Sequence, residues 1–421
     1  MGEGSDVMRR FKTLSVFLLG VFVFAALPVR PCTVAVVSGK ATPDGRPLLW
    51  KNRDTGTPYN HVIYIKGKKY DFIGITNSSD AYGNSIWSGV NSSGLCIMNS
   101  MSYNINTGTD KNTAPKSSLG NGRLMRLALE KCADVDEFEA FLKETEGKRN
   151  VDANFGVIDA QGGASFFETG SHSHVRLDAG NPEIAPEGYI VRTNFSYTGA
   201  PRAGAGYIRF NRMSKLFLEA SAAGGITHDW ILTTASRDMV NSLTGIDPLQ
   251  GVLPAHSRDH RYFYMADSIT RNTAISTTVF HGAKKGEDPA AVTMWARIGH
   301  PLCSAALPLW VCGGEKLGIT YGEPHAPMER FADYWHKRIF PLSGGSRDRY
   351  LDLAPVINKN GTGILTRLIS IEENILLQTE SLLKGQSPSQ ESLVKIQEMI
   401  QEEAVKLLSR NFPRASQEAG F

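Results

Sequence analysis

Cys32 stands where a chain of 421 residues changes character. Ahead of it lie Arg9-Arg10 and a mostly apolar run from Phe11 to Leu27. Behind it comes Thr33-Val34-Ala35-Val36-Val37, which reads as a strand. Removal of everything before Cys32 would leave one residue carrying both a thiol and a free α-amino group. A cysteine thiol is mostly protonated at neutral pH and needs a base beside it. An α-amino group titrates near about 7.7–8.0, so it can accept that proton across a single Cα. Such a unit attacks an acyl carbon without histidine, and the ten histidines of the chain fall in no recognisable Cys/His motif.

The unit needs a group to hold the ammonium and donors for a developing oxyanion. Asp54 is the candidate carboxylate. Pro43-Asp44-Gly45 reads as a turn between Thr33–Ser38 and Pro47–Lys51, so the second strand returns beside the first and brings Asp54 back toward Cys32. Lys51 is a candidate cation for the sulfur. Arg53, two residues on, shares its face if the strand continues and leaves it if the strand bends. Asn99, at the end of a later hairpin, is a further candidate for substrate contact.

The elements that must position these groups follow from period and turn residues. Val62–Ile65 with Phe72–Ile75, and Ile86–Val90 with Leu95–Met98, read as further hairpins of an antiparallel sheet. Leu124, Leu127, Ala128, Phe138, Phe141 and Leu142 recur at helical spacing, with Asp136 before Glu139 as a helix start. A second β block spans Phe155–Asp159, Ser165–Glu168, His174–Leu177 and Tyr189–Thr193. Helices at Met213–Ala222 and Trp230–Ser236, then strands at Ala274–Phe280 and Val292–Arg297, come next. From Ile364 the tail is helical, broken at Lys384–Pro388, and reads as a hairpin packed on the sheet domain. Runs of strands, helices and strands again give an α+β chain with two antiparallel sheets covered by helices.

The N-terminus has a basic start, an apolar middle and small residues at Ala25-Ala26, the parts of a signal peptide. The expected organisation is a signal over 1–25, a short remnant over 26–31, a main domain over 32–345 and a helical extension over 346–421. The chain is then exported, to a periplasm or outside the cell. A retained anchor is the alternative for the apolar run. Val29-Arg30-Pro31 lacks the small residue that lipid attachment at Cys32 would want. Five cysteines, Cys32, Cys96, Cys132, Cys303 and Cys312, make no disulfide framework, though Cys303 and Cys312 are close enough in sequence to pair. A net charge of +3 with scattered Lys and Arg gives nucleic-acid binding no support. His256-x3-His260 has a metal-like spacing, but Ser257 stands where a zinc protease motif needs Glu. Trp295 to Trp310 either covers an acyl pocket or packs in the core.

Cys32-Thr33, the hairpin and Lys51-Asn52-Arg53-Asp54 resemble the start of the choloylglycine hydrolase and penicillin acyltransferase group of N-terminal-nucleophile hydrolases. Lys51 takes the place of that group's Arg or Gln. Gly89-Val90-Asn91-Ser92-Ser93-Gly94-Leu95 resembles its Gly-x-Asn-x-x-Gly-Leu hairpin. Arg192-Thr193-Asn194-Phe195 resembles its Thr-Asn segment, and Tyr207–Met213 its Arg-x-x-Arg segment. Asn154–Asp159 and Phe166–Thr169 look most like the branch of acyl-CoA:6-aminopenicillanic acid acyltransferase. The order holds over about residues 32 to 215.

The resemblance implies a four-layer αββα sandwich, autocatalytic exposure of Cys32, and attack on a linear amide outside a peptide backbone through an acyl-thioester. It implies that Asp54 binds the amino group, that Asn194 donates to the oxyanion, and that Arg209 or Arg212 lies in the site. No metal or organic cofactor is expected. The expected partner is a small-molecule amide, with no nucleic acid and no membrane once the signal is gone; a homo-oligomer is left open. Two other readings compete: a lipid-anchored, non-catalytic surface protein on the same scaffold, and a papain-like hydrolase using a downstream cysteine.

Overall fold

The structure, a computed structural model, describes residues 32–105, 119–384 and 388–421. The expected signal and remnant over 1–31, and the centre of the break at Lys384–Pro388, lie outside the described residues. The chain opens with the hairpin β1 (Thr33–Val37) and β2 (Leu48–Asp54). A meander follows: β3 (Asn60–Ile65), β4 (Phe72–Asn77), β5 (Ser88–Asn91) and β6 (Cys96–Met101). Helices α1 (Asn121–Lys131) and α2 (Val135–Glu144) precede β7 (Ala153–Ile158), β8 (Ala164–Thr169), β9 (His174–Asp178) and β10 (Tyr189–Arg192). Then come α3 (Tyr207–Ala222), α4 (His228–Thr233), β11 (Tyr262–Tyr264), β12 (Ala274–His281), β13 (Thr293–Ile298) and β14 (Leu307–Leu309). The chain ends with α5 (Pro327–Ile339), β15 (Tyr350–Asp352), α6 (Ile364–Leu383), α7 (Gln390–Asn411) and α8 (Pro413–Ala419).

Two antiparallel sheets carry the molecule. One has the order β10-β1-β2-β12-β13-β14, the other runs β3 through β9 in sequence, and β11 pairs with β15 apart from both. The three N-terminal hairpins therefore do not share a sheet. The first is separated at Gly56 and Pro58, and both edges of β1 and β2 are taken by β10 and β12. The two sheets face each other, with β1 and β2 against β6, β7 and β8. Gly156 on β7 permits this approach: a Cβ there would lie 2.8 Å from Val36 Cγ2 and 3.0 Å from Leu49 Cδ1. Helices α1 and α2 cover the outer face of the seven-stranded sheet through Leu124, Leu129, Phe138 and Phe141. Helices α3, α4 and α6 cover the other sheet through Phe217, Leu232 and Leu368. The start of α2 is capped by Asp134, whose side chain accepts from Glu137 N, rather than at the expected Asp136. Trp295 and Trp310 are both buried in the core.

Alternation along β2 decides what reaches the space between the sheets. Leu49, Lys51 and Arg53 turn toward the seven-stranded sheet, where Lys51 Nζ donates to Trp87 O and the Arg53 guanidinium lies over the Trp87 ring. Trp50 and Asn52 turn the other way, onto Phe217 of α3 and the carbonyl of Ser236.

The tail is keyed into this core by charge as well as by apolar packing. Glu372 of α6 is buried and accepts from Arg297 of β13 at 2.7 and 2.8 Å, from Arg237 at 2.6 Å and from Ala306 N at 2.6 Å. β15, which falls in the stretch 346–421 assigned to the extension, pairs with β11 of the preceding chain. Truncating one partner of a buried ion cluster leaves the others uncompensated. Glu372→Ala should therefore cost about 3–5 kcal/mol of folding stability. Urea denaturation monitored by tryptophan fluorescence measures this; an unchanged midpoint would show that the cluster contributes nothing.

Candidate active site

Antiparallel pairing of Thr33 with Asn52 sets Cys32 beside the end of β2. Cys32 is buried, 7% exposed, and its thiol points to the backbone carbonyl of Asp54 at 4.0 Å. The strand pairing that brings Asp54 back is continued by β12, which meets it at Ala274 across a bulge between Ala274 and Ser276.

Asp54 is 3% exposed, and neither carboxylate oxygen has a hydrogen-bond partner among the described residues. An unpaired buried carboxylate is costly, and the cost falls on its charged form. Burial accordingly raises the Asp54 carboxyl to about 7, against the opposing fields of Arg271, Arg209 and Lys51. A cation placed against those oxygens would return it to the ionised state.

Lys51 is buried rather than at the surface of its strand. Its ammonium donates to Trp87 O at 2.7 Å and to Asn99 Oδ1 at 2.8 Å, so Asn99 reaches the site through Lys51. Burial lowers Lys51 to about 8, with Cys32 and Asp54 favouring its charge and Arg53 opposing it. Arg53 does share the face, and its Nη2 donates to Asn77 Oδ1 at 2.7 Å.

Arg209, in the first turn of α3, is 1% exposed. It donates to the Cys32 carbonyl at 2.8 Å, to Thr33 Oγ1 at 2.6 Å and to Asn194 Oδ1 at 2.9 Å. Gly206, the N-cap of α3 at φ +83°, leaves room for it; a Cβ there would collide with the guanidinium and with Thr193. Burial lowers Arg209 to about 10, which leaves it charged at neutral pH. Because Asn194 Oδ1 accepts from Arg209, the amide orientation is assigned, and Nδ2 donates to Met101 O at 3.0 Å. An amide nitrogen carries two hydrogens, so one remains for another acceptor. Arg212, three residues on and ~60° around the helix, pairs instead with Asp238 at 2.5–3.0 Å and touches none of these groups.

Glu168 fixes the loop just past Asn194. Its carboxylate accepts from Arg192 Nε at 3.1 Å, Tyr197 N at 2.9 Å, and Thr198 N and Oγ1 at 2.8 and 2.7 Å. Arg271 is a charged residue that motif reading passes over; a lone arginine in an irregular loop carries no pattern. The remaining cysteines are all free and unactivated: burial raises Cys132 to about 12, and pushes Cys96, Cys303 and Cys312 up as well. His256 and His260 sit apart, on Asn360 and Asp352. Among the described residues, no group of His, Cys, Asp and Glu has the arrangement of a metal site.

Residues 41–215 match the family model described as acyl-coenzyme A:6-aminopenicillanic acid acyl-transferase. The match shows the acyltransferase likeness read from the motifs. It begins nine residues after Cys32 and spans less than half of the chain. No curated protein sequence matches. Among solved structures, a mutant of conjugated bile acid hydrolase from Clostridium perfringens is 12% identical with a TM-score of 0.37, covering 63% of this chain and 89% of its own. The Caenorhabditis elegans ortholog of N-acylethanolamine-hydrolyzing acid amidase is 14% identical with a TM-score of 0.35, covering 61% and 93%. Penicillin V acylase from Agrobacterium tumefaciens is 11% identical with a TM-score of 0.35, covering 66% and 86%.

The placement of Lys51 yields a test that needs no substrate. Burial favours the neutral amine, so its charge is present below about 8 and lost above it. In Lys51→Met, alkylation of Cys32 by iodoacetamide at pH 7, read by peptide mass spectrometry, should slow roughly tenfold, the equivalent of one pH unit. Lys51→Arg should keep the wild-type rate at pH 7 and hold that advantage above pH 8, where wild type loses it. Equal rates in all three proteins would reduce Lys51 to a packing role.

Proposed function

We propose that this chain is an exported cysteine amidohydrolase or acyltransferase that acts on linear, non-peptide C–N amide bonds through an N-terminal Cys32. The observation that carries the reading is Asp54, a buried carboxylate with both oxygens unpartnered beside the residue whose amine would complete it. The family match and the motif order support the same chemistry. The two facing sheets with helices outside are in keeping with the four-layer αββα sandwich, and the tail with a helical hairpin laid on it.

In this reading the residues through Pro31 are removed autocatalytically, after a signal peptide has directed export. The freed α-amino group takes the thiol proton, and Asp54 holds the resulting ammonium. Cys32 Sγ attacks the amide carbon, and the second hydrogen of Asn194 Nδ2 meets the oxyanion. Lys51 adds positive charge on the sulfur side, with Asn99 orienting it. Arg209 positions: it fixes the Cys32 carbonyl and the Asn194 amide together. Collapse of the tetrahedral adduct breaks the C–N bond, and the ammonium returns its proton to the leaving nitrogen. Water or an acceptor amine then resolves the acyl-thioester and regenerates the thiol. The site residues are Cys32, Asp54, Asn194, Lys51, Arg209 and Asn99, with Arg212 outside it.

Intact-mass and N-terminal analysis of purified wild type should give a chain beginning at Cys32 with an unmodified amine. Cys32→Ala should retain the upstream residues and lose amide turnover. A protein that begins at Ala26 and still turns over amides, or a lipid-modified Cys32, would overturn the mechanism.

A further inference from the structure

Three guanidinium or ammonium groups act on Asp54, and two of them are already engaged. Lys51 is held by Trp87 O and Asn99, and Arg209 by Cys32, Thr33 and Asn194. Arg271 is not. Its side chain makes no hydrogen bond or ion pair with a described residue, and its Nε is buried without a partner. Asp267, an acid four residues earlier, forms no ion pair with it. Yet of the three cations it is Arg271 whose field bears most strongly on Asp54.

The loop that carries Arg271 is built to hold it still. Thr55 N donates to Thr273 O at 3.1 Å and Ala274 N to Arg271 O at 2.9 Å, which locks the turn to the end of β2. His300 Nε2 meets the Arg271 carbonyl at 3.1 Å, and His336 Nε2 meets the next carbonyl, Asn272 O, at 2.9 Å. His300 Nδ1 accepts from Leu302 N at 3.2 Å, so its proton is on Nε2 and it donates to the loop. Burial pushes both histidines down, toward the neutral form. One buried ring and one half-buried ring thus fix the backbone of a side chain whose own donors are uncommitted among the described residues.

The chemistry fixes which half of a substrate lies there, given the mechanism proposed above. The leaving nitrogen takes its proton from the ammonium that Asp54 holds, so the amine half of the amide lies on the Asp54 side. A half-buried guanidinium with donors to spare is suited to a carboxylate, which it can meet in fork geometry. We propose that Arg271 is a specificity-determining residue that receives a carboxylate on the amine half of the substrate, so that the preferred amides are N-acyl amino acids or other acylated amino carboxylates rather than neutral N-acyl amines.

Matched pairs of N-acylglycines and N-acylglycinamides, with acetyl, phenylacetyl, decanoyl and palmitoyl chains, test this on the mature protein. Wild type should favour the acid of each hydrolysed pair. Arg271→Gln should raise KM for the acid roughly ten- to a hundredfold relative to the glycinamide, the loss of a charge-assisted hydrogen bond, whereas the loss of its field at Asp54 acts on both members of a pair alike and cancels in that ratio. Arg271→Lys should recover part of the loss. Turnover of the neutral amides in preference to the acids, or an equal effect of Arg271→Gln on both, would overturn the assignment while leaving the cysteine mechanism intact. A wild type that begins at Cys32 but hydrolyses neither series overturns the carboxylate assignment alone; one that does not begin at Cys32 removes the mechanism on which it rests.

Discussion

A buried guanidinium that keeps its charge is the constraint on which the rest of the site depends. Arg209 joins three pieces of chain that are far apart in sequence: the start of β1, the loop after β10, and the first turn of α3. Three of its five N–H donors end on acceptors, as the burial of so large a cation favours. Remove it and the Cys32 carbonyl, the Thr33 hydroxyl and the orientation of the Asn194 amide all lose their common reference. The glycine at the N-cap of α3 is the local backbone feature that makes room for it.

Around that reference the two sheets contribute unlike things. The six-stranded sheet brings the sulfur and the carboxylate together through the register of one hairpin. The seven-stranded sheet supplies acceptors, Trp87 O, Asn99 and Met101 O, that hold the Lys51 ammonium and the Asn194 amide in place. The charges are unequal in number: Lys51, Arg209 and Arg271 all act on the one carboxylate of Asp54. A field of that sign stabilises a thiolate and an oxyanion alike, and burial from water strengthens it.

Much of this was legible in the chain. Period-two segments and turn residues locate nearly every strand of both sheets, and the hairpin alone puts Asp54 near Cys32. Alternation could not decide between Arg209 and Arg212, because three helical residues put two arginines on neighbouring faces and only the packing partner separates them. Nor could it show that the first hairpin belongs to a different sheet from the next two, since pairing between β1 and β10 is a contact over some 155 residues. Buried charge was the least legible part. Glu168 and Glu372 look like surface residues in a string, and their roles come from partners supplied by distant elements.

The join between sheet and tail has a thermal consequence. Apolar contact between α6 and the sheet gains little from heating, whereas the hydration that Glu372, Arg237 and Arg297 give up becomes less favourable to charged groups as temperature rises. The ionic part of the seam therefore grows in relative weight on warming.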